Sequence, residues 1–158
     1  MILNPQDIKI WNAVAVQNDA FHSIRSLISS SCAEHRLSLA EMETCNTALE
    51  QLAKMFTVAA EQVGSSDYTR QILLWMMVVP DAFITLVQDR NKEALCVFAY
   101  YCVLLKRLDS MWFMEGWSDD LIKNIYFILD ESYRDYVVWP MKEIRWVPDA
   151  DGTEKAVL

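Results

Sequence analysis

An all-α fold follows from three features of the sequence. Apolar residues recur at three- and four-residue steps over most of the chain, which is the spacing of a helix face. Only three glycines and four prolines interrupt 158 residues that are 53% hydrophobic, and strand-like alternation rich in Val and Thr is scarce. The stretch from Ala94 to Leu105, ALCVFAYYCVLL, is apolar without interruption, so as a helix it leaves no face for water and has to be surrounded. Together these predict one compact helical domain over residues 1–148, about six to eight helices around a buried central helix, with a polar tail over 149–158 that frays.

Each element has its own signals. Asn4 before Pro5 pairs an N-cap residue with proline at the first helical position. Ile8, Trp11, Val14, Ala15, Phe21, Ile24, Leu27 and Ile28 then form an apolar stripe that fades in Ser29-Ser30-Ser31. Ser38 and Glu41 have the spacing of a capping box, opening a helix with Met42, Cys45, Leu49, Leu52 and Phe56 on one face and an end near Gly64. Ser66 or Asp67 caps a short third helix through Ile72–Val79. It stops before Pro80 because a residue preceding proline is pushed out of the α region. Pro80 opens a fourth helix with Phe83, Ile84, Leu86 and Val87. Asn91 caps the central helix, predicted to run to Ser110 with Lys106, Arg107 and Asp109 returning to solvent. An aromatic and methionine corner follows at Met111, Trp112, Phe113, Met114 and Trp117. Gly116 breaks the chain there, and Ser118 is expected to cap a helix carrying Leu121, Ile122, Ile125, Tyr126 and Leu129, with Asp119 and Asp120 in its first turn. Tyr133 to Trp139 and Pro140 to Trp146 are the last ordered pieces.

Charge and composition exclude several roles. With 22 acidic and 14 basic residues the net charge is -8, which repels a phosphate backbone, so direct nucleic-acid binding is not expected. There is neither a secretory leader pattern nor an apolar run long enough for a membrane span, so an intracellular protein, cytoplasmic or nuclear, is expected. Cys45, Cys96 and Cys102 fall within helical apolar patterns, where a free thiol behaves as a small hydrophobe, and disulfides are not expected.

Chemistry-bearing motifs are few. Cys32 and His35 are two ligands where structural zinc takes four, and an ordinary thiol beside an exposed histidine is the simpler reading. His22 sits mid-helix with no nucleophile motif near it and is expected to be partly buried. Asp119-Asp120 resembles the aspartate-rich motif of terpene synthases only weakly, since Lys123 and Asn124 stand where a further carboxylate would help hold magnesium. Helix capping accounts for both aspartates. Asp130, Glu131 and Arg134, with Glu115 and Arg107, are acid-base candidates only if folding gathers them in a cavity, and surface ion pairs are their default. No Gly-rich phosphate loop occurs, and neither a metal nor another cofactor is expected.

What remains is an excess of wide, adaptable side chains, among them Met76, Met77, Tyr100, Phe127, Met141 and Trp146. Methionine fills irregular volume, and Trp and Tyr present an apolar body with one polar atom, which suits a pocket for an oily ligand as well as a plain core. Residue types alone do not separate the two. The candidate ligand-binding set is Trp75, Phe83, Phe98, Tyr101, Met111, Trp112, Met114, Trp117, Tyr126 and Trp139.

Trp75 with Val79-Pro80, Phe83, Leu86 and Arg90, then Ala94-Leu95 and Ala99-Tyr100-Tyr101, then Trp112 with Glu115-Gly116-Trp117, and finally Trp139-Pro140-Met141 with Glu143-Ile144 form an ordered pattern over about half the chain. It resembles the C-terminal region of fungal zinc-cluster transcription regulators of the sterol uptake control type. The resemblance implies an α-helical effector domain with a hydrophobic pocket for a sterol. Two departures qualify it. The six-cysteine DNA-binding cluster is absent, and Arg145 stands where that family tends to have glycine, which is expected either to change the close of the pocket or to put a cation there.

Three functions compete. A sterol- or terpenoid-binding sensor follows from the resemblance, as an excised effector domain or a stand-alone relative. A metal-independent cyclase, isomerase or pericyclase of secondary metabolism could use the same scaffold, since holding a near-attack geometry itself lowers a barrier. Its first donors or acids to test would be Tyr100, Tyr101, Tyr126, His22 and Glu115. A structural or dimerisation module with no pocket is the third. The partners expected are an apolar small molecule and, as an open alternative, a second copy in a homodimer.

Overall fold

A computed structural model describes residues 5–61, 68–108, 115–148 and 154–155. Its elements in order are α1 (Pro5–Ala33), α2 (Leu39–Glu61), α3 (Tyr68–Val78), α4 (Asp81–Gln88), α5 (Lys92–Lys106), α6 (Trp117–Ile128), α7 (Glu131–Arg134), a 3-10 turn at Asp135–Val137, α8 (Val138–Ile144) and a two-residue antiparallel ladder of β1 (Val147–Pro148) with β2 (Glu154–Lys155). The fold is all-α apart from that ladder, to which the tail expected to fray contributes its second strand.

The apolar run becomes the centre of the molecule. Every residue of α5 from Glu93 to Leu105 is buried, and α1, α2, α4, α6 and α8 all pack against it. Asn91 starts the helix as expected, its side chain accepting from the Ala94 N–H at 3.0 Å. The end is earlier than predicted. Regular structure stops at Lys106, and Arg107 and Leu108 turn with Leu108 still buried. Asp109, Ser110 and the corner residues Met111, Trp112, Phe113 and Met114 lie outside the described residues.

The flanking helices present the faces that periodicity predicts. α1 turns Phe21, Ile24, Leu27 and Ile28 inward and α2 turns Cys45, Leu49, Leu52 and Phe56 inward, with Ala48 and Met55 completing that face. The capping box at the start of α2 is formed reciprocally: the Glu41 N–H donates to Ser38 Oγ at 3.1 Å and the Ser38 N–H donates to Glu41 Oε1 at 3.0 Å. α1 does not end in the serines. It runs on to Ala33, because Ser31 is fully buried against α5. The side chains of Ile8, Trp11, Val14 and Ala15 and the cap positions Asn4, Gly64, Ser66 and Asp67 lie outside the described residues.

Three further expectations are corrected. Ser118 does not cap α6. Gly116 occupies that position in the left-handed region at φ 82°, which only glycine adopts without strain, and Ser118 is buried with its hydroxyl donating to the Cys102 carbonyl at 2.7 Å. Pro140 does not separate two pieces, because it is the third residue of α8, where its missing N–H would have had no helical acceptor. His22 is exposed rather than partly buried, since α1 turns its neighbours Phe21 and Ile24 inward. Among the described residues no helix is long and apolar enough to cross a membrane.

Candidate functional site

The aromatic residues predicted to line one pocket separate into clusters on different sides of α5. On one side Trp75 stacks on Tyr101 with ring centroids 4.4 Å apart, and Phe83 and Phe98 meet the Trp75 ring at 5.6 and 6.2 Å. Their polar atoms are used internally: Trp75 Nε1 donates to the Ala48 carbonyl at 3.2 Å and the Tyr101 hydroxyl to the Ile72 carbonyl at 2.9 Å. The next residue along, Tyr100, faces α1. Its hydroxyl donates to the Ala20 carbonyl at 2.9 Å, and its ring meets Phe21 and Trp139 at 5.1 and 5.2 Å. Tyr126 belongs to a third cluster with Phe127 and Trp146, and Arg134 lies 4.2 Å from its ring centroid. Trp117 is exposed at the start of α6, as are Met76 and Met77 on the outer face of α3. Met111, Trp112 and Met114 are not among the described residues.

The acid-base candidates are not brought together. Burial pushes the Tyr100 and Tyr101 phenols well above the ordinary range, and both hydroxyls are committed to backbone carbonyls. His22 is exposed on α1 and Glu115 is exposed in the turn before α6. Asp130 pairs with Lys92 at 2.7 Å in solvent, and Arg134 Nε donates to the Tyr126 carbonyl at 3.0 Å. His35 is exposed and closes α1 in the left-handed region at φ 63°, its N–H donating to the Cys32 carbonyl at 3.1 Å, so this pair terminates a helix. No group of three or more His, Cys, Asp or Glu side chains that could hold a metal occurs among the described residues.

Two features escaped the sequence reading. The first is a polar knot at the start of α5. Glu93 is only 3% exposed and its Oε1 accepts from Ser31 Oγ at 2.7 Å and from the Tyr133 hydroxyl at 2.8 Å. Arg36 stands beside it, with its Nε 3.9 Å from Glu93 Oε1 and its Nη2 donating to Ser31 Oγ at 3.2 Å, while Nη1 pairs with Glu34. The knot ties the end of α1 to the first turn of α5, where a carboxylate also suits the helix dipole, and to α7. Beside it, Leu27, Glu34, Arg36, Ser132, Tyr133 and Tyr136 line a mixed groove of about 340 Å³. Burial, followed by the hydrogen bond to Glu93, raises the Tyr133 hydroxyl from its ordinary 10 to about 12.

That shift has a sign. The unfolded phenol loses its proton near pH 10 and the folded one near 12, so stability contributed by Tyr133 is intact below 10 and is lost between the two. In urea titrations across that window the Tyr133→Phe protein should lose less stability with rising pH than the wild type. Parallel profiles would contradict the assignment.

The second feature is at the other end of the chain. Val138, Met141, Lys142, Arg145, Trp146 and Val147 line an open groove of about 370 Å³, within the size range of small-molecule sites. Its walls are apolar side chains of α8 and β1, with two cations and no carboxylate among its lining residues. Trp146 is 2% exposed and packs edge-on to Tyr126 and Phe127, yet its indole Nε1 makes no hydrogen bond among the described residues. A buried donor left unsatisfied costs about 1–3 kcal/mol. Arg145 ends α8 at φ 65°, a left-handed conformation that costs a non-glycine residue about 1–2 kcal/mol. This is the position at which the sequence resemblance expects glycine. His35 and Arg90 adopt the same left-handed conformation just after α1 and α4, so at Arg145 too it marks the end of a helix. A third groove of about 340 Å³ shares Val138 and Lys142 as lining residues and is also lined by Asp19, Tyr100, Asp135 and Trp139.

All four cysteines are free. Burial, with a smaller contribution from the Glu93 charge, raises the Cys45 thiol to about 12, and burial likewise pushes the Cys96 and Cys102 thiols up. At neutral pH an aromatic disulfide reagent should therefore label Cys32, which is half-buried, while the other thiols react only on unfolding. Rapid labelling of more than one thiol in the folded protein would contradict the packing of α5.

No family model, no curated protein and no solved structure matches the chain.

Proposed function

We propose that this chain is a binding domain for a small apolar molecule, sterol- or terpenoid-like in its body, seated in the groove of α8 and β1. The observation that carries the reading is the groove itself: apolar walls from Val138 and Met141 of α8, which packs directly against the central helix, and from Trp146 and Val147 just after it. Occupancy would bear on Ile144 and Trp146, both buried in the core, and so on the packing of α8 against α5 and α6. A ligand that favours one such packing shifts the population toward it, and this is how a sensor would transmit binding to a protein partner. The resemblance to regulator effector regions points the same way. Binding is favoured over a cofactor-free cyclase or isomerase because Tyr100, Tyr101, Tyr126, His22 and Glu115 do not converge on a common space.

Isothermal titration with farnesol, a linear terpenoid alcohol, tests this reading. Saturable binding is expected, with the ligand recovered unchanged after long incubation. Val138→Asp, a substitution at an exposed position in the groove wall, should abolish binding without lowering the melting temperature. Equal affinity in that variant would move the site elsewhere, and conversion of the farnesol would replace the binding reading with an enzymatic one.

A further inference from the structure

We infer that the outer face of α3 pairs with the same face of a second copy of this chain, antiparallel about a two-fold axis. The inference is independent of the groove of α8, none of whose lining residues belongs to α3. Leu74, Met76, Met77 and Val78 fall within five residues, and each is at least 40% exposed, with Met77 at 81%. No other stretch of the described residues exposes as many large apolar side chains so close together. Contiguous apolar surface marks an interaction site, where single exposed residues do not. Rolling the helix cannot hide this face. On the inner side Ile72 and Trp75 are fully buried, Trp75 is fixed by its stack on Tyr101 and its bond to the Ala48 carbonyl, and Gln51 Nε2 of α2 donates to the Val78 carbonyl at 3.3 Å.

Charge identifies the occupant. At 100° per residue Arg70, Leu74 and Met77 lie within about 60° of one another, on the side away from Ile72 and Trp75. Arg70 is exposed at the N-terminal end of this line, and Asp81 is exposed at its other end, where the chain turns through Val79-Pro80 into α4. Neither side chain belongs to an ion pair found among the described residues. The face therefore carries a cation, an apolar centre and an anion in order, and a reversed copy of it matches each charge with its opposite. With the axis between residues 75 and 76, Leu74 meets the second copy's Met77 and Arg70 comes to the end that holds its Asp81, once on each side of the axis. A parallel pairing would set like charges together. An anionic membrane fits less well, because the net charge of the chain is -8 and the cation of this face is balanced by Asp81. Four apolar side chains and two charges fall short of the roughly 800 Å² per partner of a standard interface, so a dissociation constant in the micromolar range is expected.

Sedimentation equilibrium of the chain across the micromolar range tests this, and the wild type should pass from monomer to dimer. Met77→Asp should leave a monomer at every concentration. Its melting temperature should equal that of the wild type when both are measured at dilution, because the side chain is already in solvent in the single copy. Arg70→Asp and Asp81→Arg should each weaken the dimer about tenfold, since each sets like charges against one another at both ends of the pairing. Combined, the two exchange the charges and should restore wild-type association, a rescue that a merely structural effect would not produce. A wild type that stays monomeric, a dimer that survives Met77→Asp, or a charge exchange without rescue would each overturn the inference. Binding of the monomer to phosphatidylcholine vesicles that Met77→Asp abolishes would overturn it in favour of a lipid surface.

Discussion

Replacing Trp75 with alanine is expected to cost about 4–5 kcal/mol of unfolding free energy, at the upper end of what large-to-small core substitutions remove. The ring is fully buried, stacks on Tyr101 at 4.4 Å and touches Phe83 and Phe98, which lie on α4 and α5. Its removal leaves a cavity between three helices that α5, buried over its length, cannot collapse to fill. It also takes the indole donor from the Ala48 carbonyl. Because a domain of this size has about 5–15 kcal/mol in total, the variant should be close to unfolded at ambient temperature. Trp75→Phe preserves most of the ring and loses the donor, and about 1–2 kcal/mol is expected there. Urea titrations followed by circular dichroism give both numbers. A loss below about 2 kcal/mol for alanine would mean that the three helices do not pack through this ring.

The same cluster shows what hydrophobic pattern can and cannot convey. Periodicity and uninterrupted apolarity located α5 and the inner faces of α1 and α2, because burial of a helix is determined by which residues recur at its own period. Caps were legible where side chain and backbone are close in sequence, as at Ser38, Glu41 and Asn91. Whether Trp75 and Trp139 share a space was not legible, because consecutive helical residues point about 100° apart and Tyr100 and Tyr101 therefore send their partners to different sides of α5. Ser118 was misassigned for a related reason. A serine two residues after glycine and just before two aspartates reads as a cap, and its actual acceptor, the Cys102 carbonyl, is on another helix. The groove of α8 left only a trace in sequence, an arginine where the resemblance expects glycine. The lack of an acceptor for Trp146 among the described residues is a property of three-dimensional surroundings alone.

Glu93 is the sharper case, since an acidic residue in the first turn after Asn91 looks like ordinary dipole complementation on a solvated helix end. Its burial follows from the chain around it: the run that begins at Ala94 is enclosed on all sides, and one residue of margin is too little to bring the carboxylate to water. Glu93→Ala should therefore cost about 3–4 kcal/mol, because two donors, Ser31 Oγ and the Tyr133 hydroxyl, lose their acceptor and Arg36 loses a nearby opposite charge. Ser31→Ala and Tyr133→Phe each remove a donor and leave Glu93 with the other, so each should cost about 1–2 kcal/mol. In double-mutant cycles the second substitution should cost far less once Glu93 is gone, as expected when the groups act through one acceptor. The apolar triple variant Ser31→Ala, Glu93→Leu, Tyr133→Phe should recover most of the loss, since the penalty lies in unpaired buried polar atoms rather than in the absence of the knot. Strict additivity of the single losses would show that the three side chains do not share Glu93 in solution.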